Sequence, residues 1–143
     1  TAPYGNVERS FDLGKLAIAA GATYVGRATS YHVTVLQDLI EKALLNKGFS
    51  VVEALTQCPT YMGRKNKLGG PVEMLEWFKA RAVNIKAAAV MTPDKLEGKF
   101  LIGELHNQSE PEYTAEYGAM ADQVRRRFDA FQGGVRGCEQ NSD

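Results

Sequence analysis

The chain has 143 residues, 44% apolar and 24% charged, a composition and length that bury one domain's core without disulfides or a structural metal. Its 17 basic and 17 acidic side chains cancel, which excludes a general affinity for nucleic acid or an anionic membrane and favours assembly with other subunits. Apolar runs stop well short of the ~20 residues of a bilayer span, and two cysteines, Cys58 and Cys138, do not make the framework of a small secreted domain. A reducing cytoplasm is the expected compartment.

The opening, Thr1-Ala-Pro-Tyr-Gly-Asn6, carries neither methionine nor a secondary-structure start and reads as a fragment beginning mid-loop. Ser10 is placed to cap a helix over Phe11 to Ala20, stopped by Gly21. A strand over Thr23 to Ala28 follows. Thr29 or Ser30 then caps a helix to about Asn46, with Val33, Leu36, Leu39, Ile40, Ala43 and Leu44 on one face. Phe49 to Thr56 is a strand whose nearly continuous Val51, Val52, Ala54 and Leu55 suit burial on both faces, as in a parallel sheet. A basic loop, Gln57 to Gly70, leads to a helix opened by Pro71. Asn84 to Gly98 reads as a connection, and Phe100 to Leu105 as a third strand. A last helix from about Glu112 carries Tyr113, Tyr117, Met120, Val124 and Phe128 at helical spacing. That stripe predicts core or a subunit contact, and Arg125 to Arg127 a solvated face. Strand and helix alternate, so the fold class is α/β, helices layered around a parallel sheet. The domain is drawn over residues 1–132, with 133–143 a polar, disordered tail holding an incidental Cys138. Three strands make a narrow sheet, so further strands are expected from a missing N-terminal portion or a partner chain.

Cys58 ends the second strand, where open α/β sheets place their chemistry. The residues alone leave several readings open: a small buried filler, a thiolate poised by Arg64 and Lys65, or one ligand of a shared iron–sulfur cluster. A nucleophile needs a histidine partner; His106, at the end of the third strand, is a candidate on the same sheet edge. Zinc held by Cys58, His106 and His32 lacks the usual close ligand pairs. Arg64, Lys65 and Lys67 form either a solvated loop or a contact for an anionic partner.

The segments Gln57-Cys58-Pro59-Thr60-Tyr61 and Gly63-Arg64-Lys65-Asn66 resemble the thiamine diphosphate-binding β subunits of 2-oxoacid:ferredoxin oxidoreductases, in particular the 2-oxoglutarate type. Further matches, in order along nearly the whole chain, are Phe11-Asp12 with Ala19-Ala20-Gly21-Ala22-Thr23, Val72 to Trp77, Leu96 to Lys99, and Glu110 to Tyr113. The resemblance implies part of a thiamine diphosphate-binding fold lacking its N-terminal half. It implies that Cys58 is the last ligand of a 4Fe–4S cluster whose other cysteines lie upstream, with Thr60 and the loop beyond shaping its surroundings. It also implies oxidative decarboxylation of a 2-oxoacid to its acyl-coenzyme A, with electrons leaving through iron–sulfur clusters to ferredoxin, and an α subunit as partner. The Gly-Asp-Gly-Asp to Asn-Asn segment by which such enzymes hold Mg²⁺ and the diphosphate does not occur here, so no cofactor is expected on this chain by itself and no acid–base residue is assigned. A pyruvate or branched-chain 2-oxoacid member of the same family, a non-catalytic assembly module with Cys58 buried, and a thiol enzyme using Cys58 with His106 are the rival readings.

Overall fold

The computed structural model describes residues 4, 5 and 7–139. The chain divides into a unit of residues 1–109 and a unit of residues 110–143. Elements of the first follow the order α1 (Leu13–Ala19), β1 (Tyr24–Thr29), α2 (Val33–Leu45), β2 (Ser50–Leu55), a π turn (Pro59–Gly63), α3 (Pro71–Arg81), β3 (Ala82–Asn84), the short α4 (Ile85–Ala88) and α5 (Pro93–Leu96), and β4 (Phe100–Asn107).

The strands form one sheet in the order β2-β1-β4-β3. β1 and β2 are parallel, in register from Tyr24 opposite Ser50 to Thr29 opposite Leu55. The thirteen-residue α2 makes the crossover between them. β4 pairs with β1 in the opposite direction, and β3 runs parallel to β4. The α/β class therefore stands, but the sheet is mixed and four-stranded rather than parallel and three-stranded. α3 ends at Arg81 and the chain enters β3 at Ala82, which leaves no turn to reset the direction as a parallel βαβ crossover needs. The stretch read as a connection, Asn84 to Gly98, in fact holds the end of β3 and two short helices.

The core lies on the two faces of β1, whose side chains alternate. On one face Tyr24, Ala28 and Leu39 are fully buried and Val35, Leu36, Ala43 and Val52 pack around them. The helical periodicity of α2 predicted that stripe. Gly26 permits it, because a Cβ there would meet the Leu39 side chain at 3.1 Å. On the other face lie Val25, Arg27 and Thr29. Asp12, not Ser10, caps α1 by accepting the Lys15 N–H at 3.2 Å, and the same carboxylate meets Arg27 Nη2 at 2.6 Å. Arg27 Nε reaches Glu53 on β2 at 2.5 Å. One guanidinium thus ties α1, β1 and β2 together.

The second unit is a long helix, α6 (Tyr113–Glu139). Glu112 stands before it, accepting the Ala115 N–H at 3.1 Å and the Thr114 hydroxyl. Tyr113 and Tyr117 stack one turn apart, and they, Met120, Val124 and Phe128 are exposed. Arg125 meets Asp122 at 3.3 Å across one turn, as a solvated face does. The helix continues past Gly133, where the sequence pattern sets the start of a disordered tail; once nucleated, a helix gains a bond per residue and carries through weak formers. Residues 140–143 and the side chain of Cys138 lie outside the described residues.

Candidate functional site

β1 and β2 both point their C-terminal ends to one edge of the sheet, and Cys58 leaves from it. The exit is fixed by polar ties between the two strands. Ser30 N–H donates to Leu55 O at 2.9 Å, and Ser30 Oγ donates to Gln57 Oε1 at 2.5 Å. Thr29, fully buried, uses its hydroxyl to accept the N–H groups of Tyr31 and His32 and to contact His32 Nδ1 at 2.8 Å. It turns the chain into α2 rather than capping that helix, whose N-cap is His32. Burial holds the His32 ring below its usual pKa, so at neutral pH it is uncharged.

Cys58 is exposed and starts the π turn. Within this chain it is therefore not a buried filler. Backbone N–H groups of Met62 and then Tyr61, with the Thr60 hydroxyl, hold its thiol below the ordinary cysteine range, against a smaller opposing effect of desolvation. Hydrogen bonds to a sulfur favour its anionic form, the form that binds metal or attacks electrophiles. The alkylation rate of Cys58 by iodoacetamide should therefore reach half its plateau at a lower pH than a free cysteine, and Thr60→Val should move that midpoint upward. A midpoint at or above the free-cysteine value would contradict the hydrogen-bonded geometry.

Beyond the turn, Lys65 Nζ sits 4.0 Å over the Tyr61 ring, a cation–π contact that orients the ammonium and leaves its positive charge in place. Arg64, Lys65 and Lys67 are all exposed, and Lys67 takes a positive φ of 55° to bend the loop back. The loop closes over an apolar cavity of about 310 Å³ lined by Leu55, Met62, Leu68, Met74, Phe78 and Phe100, among others. Trp77, Phe78 and Phe100 cluster there with ring centroids 5.5 to 6.1 Å apart.

The antiparallel course of β4 removes the Cys58 and His106 pairing. His106 lies opposite Val25, at the same level as Val51, whereas Cys58 follows the far end of β2. From Val51 to Leu55 alone, at about 3.3 Å per residue, the separation along the sheet is about 13 Å. The thiol-enzyme and zinc readings lose their geometry for the same reason. No group of three or more His, Cys, Asp or Glu side chains that could hold a metal occurs among the described residues.

A 4Fe–4S cluster takes four thiolates. Cys58 fits as one of them, being exposed, anionic in tendency and supplied with N–H donors, but the other three are not among the described residues. For Mg²⁺ and the diphosphate of thiamine diphosphate, the described residues bring together no cluster of three or more carboxylates to hold the metal. Sequence reasoning finds Cys58 and the basic loop, and it names Ser30 as a cap candidate and Gln57 and Gly63 within the matching segments, but it misses the tie between Ser30 and Gln57 and the burial of Gly63. The signal for the last is available: a glycine one residue before a basic run, with Gly69-Gly70 close behind, marks a loop that folds tightly on itself.

No protein-family model matches the chain. Its curated relatives include the 2-oxoglutarate synthase subunit KorB of Methanothermobacter thermautotrophicus, 47% identical over 89% of this chain and 44% of that protein. The same subunit of Methanothermobacter marburgensis is 43% identical over 95% of this chain and 48% of that protein. The fold is that of a solved 2-oxoglutarate:ferredoxin oxidoreductase from Magnetococcus marinus, at a TM-score of 0.66 and 21% identity over 85% of this chain and 42% of that one. That structure holds 2-oxoglutarate, coenzyme A and succinyl-CoA.

The chain is thus a relative of the β subunits of 2-oxoacid:ferredoxin oxidoreductases, and the resemblance read from Gln57 to Asn66 is borne out. Its sequence fits a segment of the 2-oxoglutarate type, since the chain spans about half the length of the curated relatives it matches. No described helix is long and apolar enough to cross a membrane.

Proposed function

We propose that this chain is the C-terminal half of the thiamine diphosphate-binding domain of a cytoplasmic 2-oxoglutarate:ferredoxin oxidoreductase β subunit. The complete enzyme converts 2-oxoglutarate and coenzyme A to succinyl-CoA and CO₂, and two electrons leave singly to ferredoxin with release of a proton. The identity of 39–47% to 2-oxoglutarate synthase subunits over 87–95% of the chain carries this reading. Matches to general 2-oxoacid:ferredoxin oxidoreductase β subunits are shorter and weaker, for example 37% over 59 residues in Saccharolobus solfataricus.

Within that reaction the role of this segment is electron transfer. Cys58 is a ligand of the 4Fe–4S cluster, its thiol held below the ordinary cysteine range by the Met62 and Tyr61 N–H groups and the Thr60 hydroxyl. Such hydrogen bonds and burial tune a cluster's potential. The carbon chemistry belongs to thiamine diphosphate and Mg²⁺ bound elsewhere in the complete enzyme, and the α subunit completes the assembly. Arg64, Lys65 and Lys67 attract an anionic partner, either the acidic surface of a ferredoxin or the phosphates of coenzyme A.

A substrate panel tests the reading. The complete complex, assayed anaerobically with ferredoxin and coenzyme A, should prefer 2-oxoglutarate over pyruvate and branched-chain 2-oxoacids by kcat/KM. Preference for another 2-oxoacid would move the substrate and keep the family. Replacing Arg64, Lys65 and Lys67 together by alanine should raise KM severalfold for the anionic partner they hold, and the increase should shrink at high salt. Unchanged KM values for both ferredoxin and coenzyme A would return these residues to a solvated loop.

A further inference from the structure

The π turn that begins at Cys58 is wound around one glycine. Gly63 is buried, in a loop whose neighbours Met62 and Arg64 are exposed. Its N–H donates to Cys58 O at 2.9 Å, which closes the wide turn. Its own carbonyl accepts the Leu68 N–H at 2.9 Å, which brings the far side of the loop back onto the turn. Both backbone groups of Gly63 are therefore committed, one to each limb of the loop.

The space around its Cα is equally committed. A Cβ at position 63 would lie 2.9 Å from Gly69 O and 2.8 Å from Met74 Sδ. Sulfur at the end of a methionine can swing away. The Gly69 carbonyl cannot move so easily, because Gly69 sits at φ +85° against the Glu73 side chain, which itself accepts the Gly70 N–H at 2.9 Å to start α3. Any side chain at position 63 must push the turn away from α3, and the turn carries Cys58 with it.

We propose that Gly63 is the positioning residue for Cys58: by packing bare against Gly69 O and Met74 while bonding Cys58 O, it sets where the ligand sulfur stands relative to the turn's N–H groups. This deepens the electron-transfer role and rests on that reading for its link to the cluster. The positioning itself rests on the backbone bonds and contacts of Gly63 alone. Its expected consequence is that the smallest added side chain disturbs the cluster without disturbing the sheet.

Two readouts test it. In the wild-type chain, native-state amide exchange followed by NMR should show the Gly63 and Leu68 N–H groups protected, although they lie in a loop; free exchange at both would overturn the proposal. In Gly63→Ala the Leu68 amide should exchange at least tenfold faster while that of Val25 in the core is unchanged. Gly118→Ala, where nothing lies within 4 Å of the added carbon, serves as the control and should alter neither. In the complete subunit, EPR-monitored titration of Gly63→Ala should show a changed cluster signal and a displaced midpoint potential at full iron content. Wild-type amide exchange and cluster signal in Gly63→Ala would refute the positioning role. Faster Leu68 exchange in a subunit that holds no cluster even as wild type would support the positioning of the turn and refute the electron-transfer reading instead.

Discussion

Cys58→Ser in the complete subunit is expected to lower ferredoxin reduction by roughly a hundredfold or more, since loss of an outer-shell partner of a metal ligand alone costs about 10–100-fold, with thiamine diphosphate binding retained. The separation of effects follows from placement. Cys58 stands beyond the C-terminal ends of β1 and β2, exposed, before a turn whose residues are not part of the core cluster around Tyr24, Ala28 and Leu39. Serine keeps the size of the side chain and the N–H donors around it but offers a poor ligand to iron at neutral pH. Fold and cofactor affinity should therefore survive, while cluster content or potential changes. The measurement is steady-state reduction of ferredoxin alongside iron and sulfide analysis of the same sample. Normal turnover with normal iron would remove Cys58 from the electron path.

The second large effect is structural. Arg27→Met should destabilise the first unit by about 3 kcal/mol, the cost of breaking a mostly buried ion pair by removing one partner, reduced because Asp12 is partly in water. Arg27 and Glu53 side chains are only 12% and 16% exposed, so methionine leaves the Glu53 carboxylate without its charge partner in a nearly dry place. Arg27→Met with Glu53→Leu should recover most of the loss, because replacing both members by apolar groups avoids the stranded charge. Denaturant unfolding reads both variants; a single variant within error of wild type would show that the three-way tie among α1, β1 and β2 contributes little. The pH dependence has a definite sign. Burial pushes the Asp12 carboxyl up, but the Arg27 hydrogen bond and its charge, with the Lys15 N–H, outweigh this and hold the group below its ordinary value. A carboxyl depressed in the folded state contributes stability above its unfolded pKa and loses it as pH falls through the folded one. The gap between wild type and Arg27→Met should accordingly narrow in acid, below the ordinary carboxylate range.

What the sequence discloses and what it hides divide along the range of the interactions involved. The α2 stripe is legible because Leu36, Leu39 and Ala43 repeat at the helical period, and Leu39 is in fact buried in the core with Tyr24 and Ala28. Cys58 is legible because it ends an apolar strand and begins a basic loop. Sheet direction is not, since alternation of elements says nothing about where a turn is missing, and the junction of Arg81 with Ala82 is visible only once α3 and β3 are both placed. A parallel reading of the sheet consequently puts His106 at the wrong edge. Arg27 is also hidden. A lone charge in a buried strand demands a partner, but Asp12 and Glu53 lie 15 and 26 residues away, and only the fold brings them to it. The π turn is likewise a tertiary product: its width depends on Gly63 packing against Gly69 and Met74, which no local propensity encodes.

The claim at the centre of this account is that electrons taken from 2-oxoglutarate pass through a cluster held by Cys58. Low-temperature EPR of the complete complex, frozen after anaerobic mixing with 2-oxoglutarate and coenzyme A and without ferredoxin, tests it directly. The account predicts a reduced-cluster signal in the wild type that is lost or altered in Cys58→Ser. An identical signal in both, or succinyl-CoA formed by a wild-type enzyme whose clusters stay oxidised, would contradict it.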